Sequence, residues 1–397
     1  MSRQYRSDSM EIAIVSLSIT DPSYNSGGIR IVTEYMKSWV ESGNRVTLLT
    51  SKEGIHAYTR TGAINGAPNL RTIVTKGGPM PFGHKPRTLL AWVFRSIVGT
   101  VRLIPTAASV RNCVVFSSLD LPPDIMPALF CKLVLNKKWM STVYHFLPPP
   151  DSRPGSRILN AILYLLDYFD SLLCKFADFI VVESSRQKSE VIRRLHINPD
   201  RVVISSGGIR PLQVDSIRPI KDGYDALFVS RLHPAKGVFD LVRIWKEVVK
   251  LKEDAKLGVI GSAPDSGVLV KLRKQIIEAG LETKIFLLGP VSEEVKYSLM
   301  KSSKVLVHPS YEDGVPLVFY EALYCGMQVA TFDLPTYADI APYITSSQLG
   351  DVRDLAKVVV SLIPSPREVS SSKAMVRKHD WDVLSADLLR YVAGERC

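Results

Sequence analysis

Short apolar runs of strand length alternate with helix-length amphipathic stretches along most of the chain, and no other feature limits the fold so sharply. Such alternation marks parallel α/β sheets, whose strands are joined through helices. In the first half the runs fall at residues 12–17, 45–49, 71–74, 113–116, 141–145, 179–182 and 202–204. Helical patterns lie between several of them; the one over Ile31 to Glu41 ends at Ser42-Gly43-Asn44, a C-cap. A polar stretch holding Pro and Gly, residues 207–223, reads as a linker. The pattern then restarts at 226–230, 257–260, 285–288, 305–308 and 328–331. A chain of 397 residues is too long for one ordinary core and suits two domains. The fold class expected is α/β, with two successive doubly wound Rossmann-like domains over residues 1–212 and 213–379. In such folds the ligand cleft lies at the carboxyl ends of both sets of strands.

Charge divides the chain unevenly. Residues 1–220 carry 27 basic and 16 acidic side chains, whereas 221–397 carry 23 of each, so the net charge of +11 lies in the first half. Between Gly54 and Leu119 stand Arg60, Arg71, Lys76, Lys85, Arg87, Arg95, Arg102 and Arg111, with no acid. A surface of one sign suits an anionic partner such as phospholipid, a lipid phosphate or nucleic acid. A plain solubilising bias is the other reading. The five cysteines form no C-x-x-C pair, which argues against a disulfide framework or zinc ribbon and fits a reducing compartment. No signal-peptide pattern precedes residues 11–15, and no apolar run reaches the ~18 uncharged residues of a bilayer span. A cytoplasmic protein, soluble or peripheral on a membrane, is expected.

Two apolar segments bear on that choice. Residues 88–104 are apolar but broken by Arg95 and Arg102; on an ideal helix these two and Arg87 share one side, leaving Trp92, Phe94 and Leu103 to others. The pattern fits a helix lying in a membrane interface, or an ordinary domain helix whose arginines snorkel. Residues 158–179 carry Asp167, Asp170 and Lys175 and read as a buried domain helix rather than a membrane span.

The second half holds the stronger chemical signals. Phe228-Val229-Ser230-Arg231-Leu232-His233-Pro234-Ala235-Lys236-Gly237 sets two cations just past a strand, with Lys236-Gly237 opening a helix. Cations in such a loop, near helix amide groups, suit a diphosphate, although two exposed cations can also be a solvated turn. Further on, His308 to Gly326 again runs from a strand through a turn into a helix that starts near Pro316. Asp313 there is either an N-cap or a ligand group. Glu321 lies deeper in an apolar helix, where a carboxylate needs a partner; sugar or ribose hydroxyls would supply one. Gly261-Ser262 can offer amide groups to phosphate. In the first half, Ser26-Gly27-Gly28 either lets a ligand approach the backbone or makes a tight turn. His145 ends a strand, a place where structural histidines also occur. No convincing metal-ligand cluster is visible.

Taken in order, these motifs resemble the retaining glycosyltransferases of GT-B fold, the family that includes glycogen synthases and bacterial phosphatidylinositol mannosyltransferases. Arg231 and Lys236 match its R-L-x-x-x-K-G motif, which holds the nucleotide diphosphate. Asp313 and Glu321 match its E-x7-E motif with Asp in first place, and Glu312 stands one residue earlier as an alternative. The resemblance implies that Asp313 contacts the donor sugar and Glu321 the ribose. It implies too that the Gly28 loop approaches donor phosphate and acceptor, and that His145 lies near the reacting sugar. Gly261, Ser262, Leu317 and Val318 count with the donor-binding residues. Residues 177–184 resemble the family's A-D-x-I-V-x-x-S segment, and 206–209 its N-G-V-D stretch. His379-Asp380-Trp381 and the helix to Tyr391 are similar to its tail, so a helix over about 380–397 is expected to cross back onto the first domain.

The activity so implied is transfer of a sugar from a nucleotide diphosphate sugar, with retention at the anomeric carbon. The catalytic group expected is Asp313, Glu321, His145, Arg231 and Lys236, with no cofactor and no metal. The basic tract favours a lipid-linked glycan or glycolipid acceptor at the cytoplasmic membrane face, with an anionic membrane surface as partner. A soluble transferase acting on a polysaccharide or small metabolite is the alternative. A nucleotide-sugar epimerase of the same fold would need acid/base residues with no clear candidates here. A nucleic-acid partner is not expected, since no recognisable nucleic-acid motif accompanies the charge.

Overall fold

A computed structural model describes residues 10–19, 27–62, 66–75, 86–144, 146–147, 149–152, 157–263, 265–365 and 369–394. The chain forms two compact units, Met1–Ser206 with Trp381–Cys397, and Gly207–Asp380.

Unit 1 contains β1 (Glu11–Ser16), α1 (Gly27–Glu41), β2 (Arg45–Ser51), α2 (Lys52–Arg60), β3 (Leu70–Thr75), α3 (Pro86–Ser109) and β4 (Cys113–Ser117). It continues with α4 (Pro122–Leu135), β5 (Lys138–Thr142), α5 (Arg157–Leu173), β6 (Phe179–Val182), α6 (Ser185–Leu195) and β7 (Val202–Ile204). The seven strands are all parallel, in the order β3-β2-β1-β4-β5-β6-β7. Helices on both faces explain why β1 and β4 read as unbroken apolar runs: every residue of both is buried. The C-terminal helix, Trp381–Ala393, belongs to this unit. Trp39 donates its indole N–H to the Ser385 carbonyl at 3.1 Å, and Trp381 meets Tyr35 edge-on at 5.7 Å.

Unit 2 contains α7 (Pro211–Ser216), β8 (Ala226–Val229), α8 (Asp240–Leu251), β9 (Leu257–Ile260), α9 (Ser266–Glu278), β10 (Ile285–Gly289) and α10 (Glu293–Ser302). Then come β11 (Val305–His308), α11 (Leu317–Tyr324), β12 (Gln328–Phe332), β13 (Thr345–Ser347), α12 (Val352–Leu362) and α13 (Val369–Arg377). Its six parallel strands follow the order β10-β9-β8-β11-β12-β13. In both sheets the order reverses beside the first strand, so each has a switch point at a carboxyl edge, where open α/β sheets bind ligands.

Several expectations change. β5 spans Lys138–Thr142 rather than 141–145, because Lys138 and Trp139 extend the ladder opposite Val114 and Val115. Residues 207–223 are not a free linker: Ile209 and Val214 are buried in the core of unit 2, and α7 lies within the stretch. β13 is polar and three residues long, with no apolar run to betray it. Lys236-Gly237 closes a short 3₁₀ turn, Pro234–Lys236, and α8 opens only at Asp240.

The basic stripe on α3 also needs correction. Arg95 is only 2% exposed; its guanidinium donates to the carbonyls of Leu17 (2.7 Å) and Ile19 (3.0 Å) and pairs with Glu53 at 3.2 Å. Those partners replace the water a buried guanidinium loses. Asp124 of α4 complements it, accepting from the amides of Leu17 (2.6 Å) and Ser18 (2.9 Å). The strand end 17–19 is thus held by one helix through its carbonyls and by another through its amides. Arg102 is exposed as expected, while Lys76, Lys85 and the side chain of Arg87 lie outside the described residues.

Nor is the segment 158–179 a buried helix. In α5 the buried described residues are Asn160 and Ser171, both polar, whereas Ile158, Ile162, Leu165 and Phe169 are exposed. The apolar face points outward because Asn160, Asp167 and Ser171 occupy the inner one, with Asp167 accepting from the Leu147 amide at 3.1 Å.

Candidate functional site

The site in unit 2 is built on two loops that leave the carboxyl ends of neighbouring strands, β8 and β11. Backbone contact joins them: the Tyr311 amide donates to the Ala235 carbonyl at 2.9 Å. Gly237, at φ +68°, makes the approach possible, since a Cβ there would lie 1.9 Å from the Pro309 carbonyl oxygen. The junction brings Lys236 and Asp313 together, Nζ to Oδ2 at 2.7 Å. Lys236 also donates to the Glu312 carbonyl at 2.9 Å.

Asp313 has a second partner that the sequence reading missed. His308, the last residue of β11, is buried between the rings of Phe228 and Phe319 and sets Nε2 2.9 Å from the same Oδ2. Burial alone would raise the Asp313 carboxyl, but His308 and the Lys236 charge outweigh it and hold it below the usual carboxylate range. The clue was its place at a strand end, directly before Pro309 in the motif.

Asp313 does not cap α11. Pro316 occupies the cap position without a side-chain hydrogen bond, so the first-turn amides of α11 carry no side-chain cap. Those amides begin four residues after Asp313, the partner of Lys236, and helix amides together with a cation are a combination that binds oxyanions. Leu317 and Val318, half-buried, make up that first turn. Glu312 is exposed and enters through its backbone carbonyl, so Asp313 supplies the carboxylate of this cluster.

Glu321 sits one turn deeper in α11, buried as expected, but the protein provides its partners. Lys296 approaches Oε1 at 2.8 Å and the Tyr297 hydroxyl donates to it at 3.0 Å, both from α10. The protein thus supplies partners at Oε1, where the sequence alone suggests ligand hydroxyls. No sequence motif marked Lys296 or Tyr297.

Arg231 stands half-buried just beyond β8. The next amide, of Leu232, donates to the Ser262 carbonyl at 2.8 Å, tying this loop to the one after β9. Gly261, at φ +151°, lets the two pass, because a Cβ would lie 1.8 Å from the Ser230 carbonyl oxygen. Arg231, Gly261 and Ser262 thus form a second group on the same edge as Lys236 and Asp313.

In unit 1, Gly28 lies in the first turn of α1 rather than before it, and a Cβ there would touch the Tyr144 ring at 3.4 Å. His145 lies outside the described residues. Its neighbours are pinned: the Gln187 side-chain amide donates to the Tyr144 carbonyl, and Asp167 accepts from Leu147. Beyond β4, burial pushes the Asp120 carboxyl up to about 8, reinforced by Asp167, and burial pushes Asp124 up to about 6 against its four hydrogen bonds. Among the described residues, no group of three or more His, Cys, Asp or Glu side chains is placed to hold a metal ion. No helix among them is long and apolar enough to cross a membrane.

Two parallel Rossmann-like sheets in one chain define the GT-B fold class. The solved Anabaena HepE, in complex with UDP and glucose, matches it with TM-score 0.71 at 14% identity, over 97% of this chain and 100% of that one. Residues 211–342 match the model of the family described as glycosyl transferases group 1. An uncharacterized glycosyltransferase of Methanocaldococcus jannaschii is 25% identical over 285 residues, 68% of this chain and 67% of that protein. The gpi3 subunit of the phosphatidylinositol N-acetylglucosaminyltransferase of Schizosaccharomyces pombe is 22% identical over 213 residues, 53% of this chain and 44% of that protein. The chain thus spans about two thirds of the first relative and under half of the second.

Proposed function

We propose that this glycosyltransferase moves a sugar from a nucleotide diphosphate sugar to a lipid-linked glycan or glycolipid, with retention, at the cytoplasmic face of a membrane. The observation that carries the donor half is the Lys236–Asp313 pair, whose aspartate lies four residues before the uncapped first turn of α11. As the anomeric C–O bond breaks, its electron pair goes to the diphosphate, and Lys236, Arg231 and the amides of Leu317 and Val318 meet the developing charge. Asp313 is assigned to the sugar and Glu321 to the ribose. The acceptor hydroxyl attacks on the face the phosphate leaves and gives its proton to a departing phosphate oxygen. Charge balance comes from the chain's own cations, so the reaction needs no metal.

The acceptor half rests on the basic first unit and on the phosphatidylinositol substrate in the name of one relative. A panel of nucleotide sugars, read by slow donor hydrolysis and thermal shift, identifies the donor. Transfer to a detergent-dispersed lipid phosphate or glycolipid in the presence of EDTA then tests acceptor and metal together. Transfer only to soluble polysaccharide or small metabolites, or activity lost to EDTA, would count against the reading.

A further inference from the structure

Helices α3 and α5 are inside-out for a protein surrounded by water. On α3 the inner face buries Arg95, Ser96 and Thr106 together with Leu103 and Ala107, while Leu90 (72% exposed), Val93, Phe94 (55%), Ile97 and Val101 point outward. Their spacing is that of one helical stripe. On α5 the buried residues are Asn160 and Ser171, and the outward stripe is Ile158, Ile162, Leu165 (63%) and Phe169 (66%). Both helices pack against α4, which itself exposes Leu133 and Val134. Exposed apolar stripes on helices that share a neighbour mark a binding face.

Charge identifies the occupant. Neither α3, α4 nor α5 has an exposed acidic side chain: α3 contains no acid, Asp124 is buried, and Asp167 and Asp170 are half-buried. Among the described residues, the exposed cations on and beside these helices include Arg102, Arg111, Lys138 and Arg157, and Asp151 is an exposed acid paired to Arg157 at 3.2 Å. Apolar stripes flanked by cations complement an anionic leaflet, where cations meet headgroups and apolar side chains enter the acyl boundary. A second copy of the same face would set these cations against one another.

We propose that α3 and α5 together form a shallow membrane-insertion surface, with α5 an inserting element in its own right. The proposal rests on the lipid-linked acceptor reading for its purpose, though not for its test. It differs from electrostatic docking by the arginine stripe, because Arg95 faces inward and the outward stripes are apolar. The inner face of α5 also carries Asp167, which holds Leu147 two residues beyond His145. Insertion and the ordering of that loop therefore share one helix.

The test is flotation of the full chain, without donor or acceptor, with vesicles of phosphatidylcholine alone and of phosphatidylcholine mixed with phosphatidylglycerol. Wild type is expected to float with the mixed vesicles and to retain part of that binding at high salt, as apolar insertion is unscreened. Phe94→Ser with Ile97→Ser, and separately Leu165→Ser with Phe169→Ser, should each weaken binding by about tenfold or more at unchanged melting temperature. Leu251→Ser with Val270→Ser, equally exposed positions on unit 2, should change nothing. Phe169→Trp should add blue-shifted emission on vesicle addition, quenched by brominated lipid. Wild-type binding by both serine pairs, or no quenching at position 169, overturns the proposal. So does a dimer in solution that the same substitutions split, or retention by a soluble protein with no vesicle binding. Vesicle binding without transfer to any lipid acceptor would instead sink the acceptor reading and leave the surface intact.

Discussion

Lys236 and Asp313 meet at 2.7 Å although 77 positions separate them in sequence, and the same carboxylate oxygen lies 2.9 Å from His308. One carboxylate therefore orients a lysine and a histidine on the edge where a diphosphate would sit.

Lys236→Ala should lower transfer by about a hundredfold or more, the scale of losing one charge-stabilising donor. A modest loss of stability, about 1–2 kcal/mol, should accompany it, because Asp313 loses one of its two partners and keeps His308. Removing its charge also lets the Asp313 carboxyl rise toward the ordinary range, so the acidic limb of the rate profile should shift to higher pH. An unchanged profile with reduced rate would show that Lys236 acts on the donor without tuning Asp313.

The Glu321–Lys296 pair permits a cleaner separation of fold from function. Glu321→Gln leaves the largely buried Lys296 ammonium with Glu293 at 3.5 Å as its remaining carboxylate. A loss of about 2 kcal/mol is expected from a charged hydrogen bond so broken. Adding Lys296→Met should restore much of that stability by removing the stranded charge. Donor affinity should stay weak in the double variant if Glu321 contacts the nucleotide. Recovery of both would make the glutamate purely structural.

Much of this site was legible because its parts sit in loops at strand ends, where residue type follows chemistry rather than packing. The Arg231, Lys236, Asp313 and Glu321 positions stand out through the resemblance to the family's two motifs, with strand-end placement in support. What spacing could not supply is the inward direction of a helix. The helical wheel grouped Arg95 with Arg102, but only the Leu17 and Ile19 carbonyls and Glu53, distant in sequence, show that Arg95 points to the core. The same blindness made α5 look buried, for its apolar pattern reads identically whichever face turns inward. His308 and Lys296 escaped notice for another reason: each takes its role from a side chain on a different element.

Arg95 and Arg102 should accordingly respond in opposite ways to charge reversal. Arg95→Glu places a carboxylate among two carbonyls and Glu53, and should destabilise the chain by about 3 kcal/mol or more. Arg102→Glu, exposed, should leave the melting temperature within the usual surface range of about 0.5 kcal/mol. Thermal melts of the two variants decide it; equal tolerance would contradict the buried guanidinium.

The acids behind β4 give unit 1 a distinctive pH response. Burial and the neighbouring Asp167 push Asp120 up to about 8, and the same causes push Asp170 up to about 7. Both lie above the value of about 4 for an unfolded aspartate. A folded-state pKa above the unfolded one means the fold binds the extra proton. The associated stability is complete below about pH 4 and is lost progressively as pH rises through the folded values. Asp120→Asn keeps the shape and removes the titration. Its melting temperature, relative to wild type, should therefore climb steadily between about pH 5 and 8, with the variant the more stable of the two at the alkaline end. Melts across that range, compared with Asp200→Asn at an exposed site as control, supply the measurement. Parallel curves for wild type and Asp120→Asn would mean that this carboxyl titrates normally and that water reaches it.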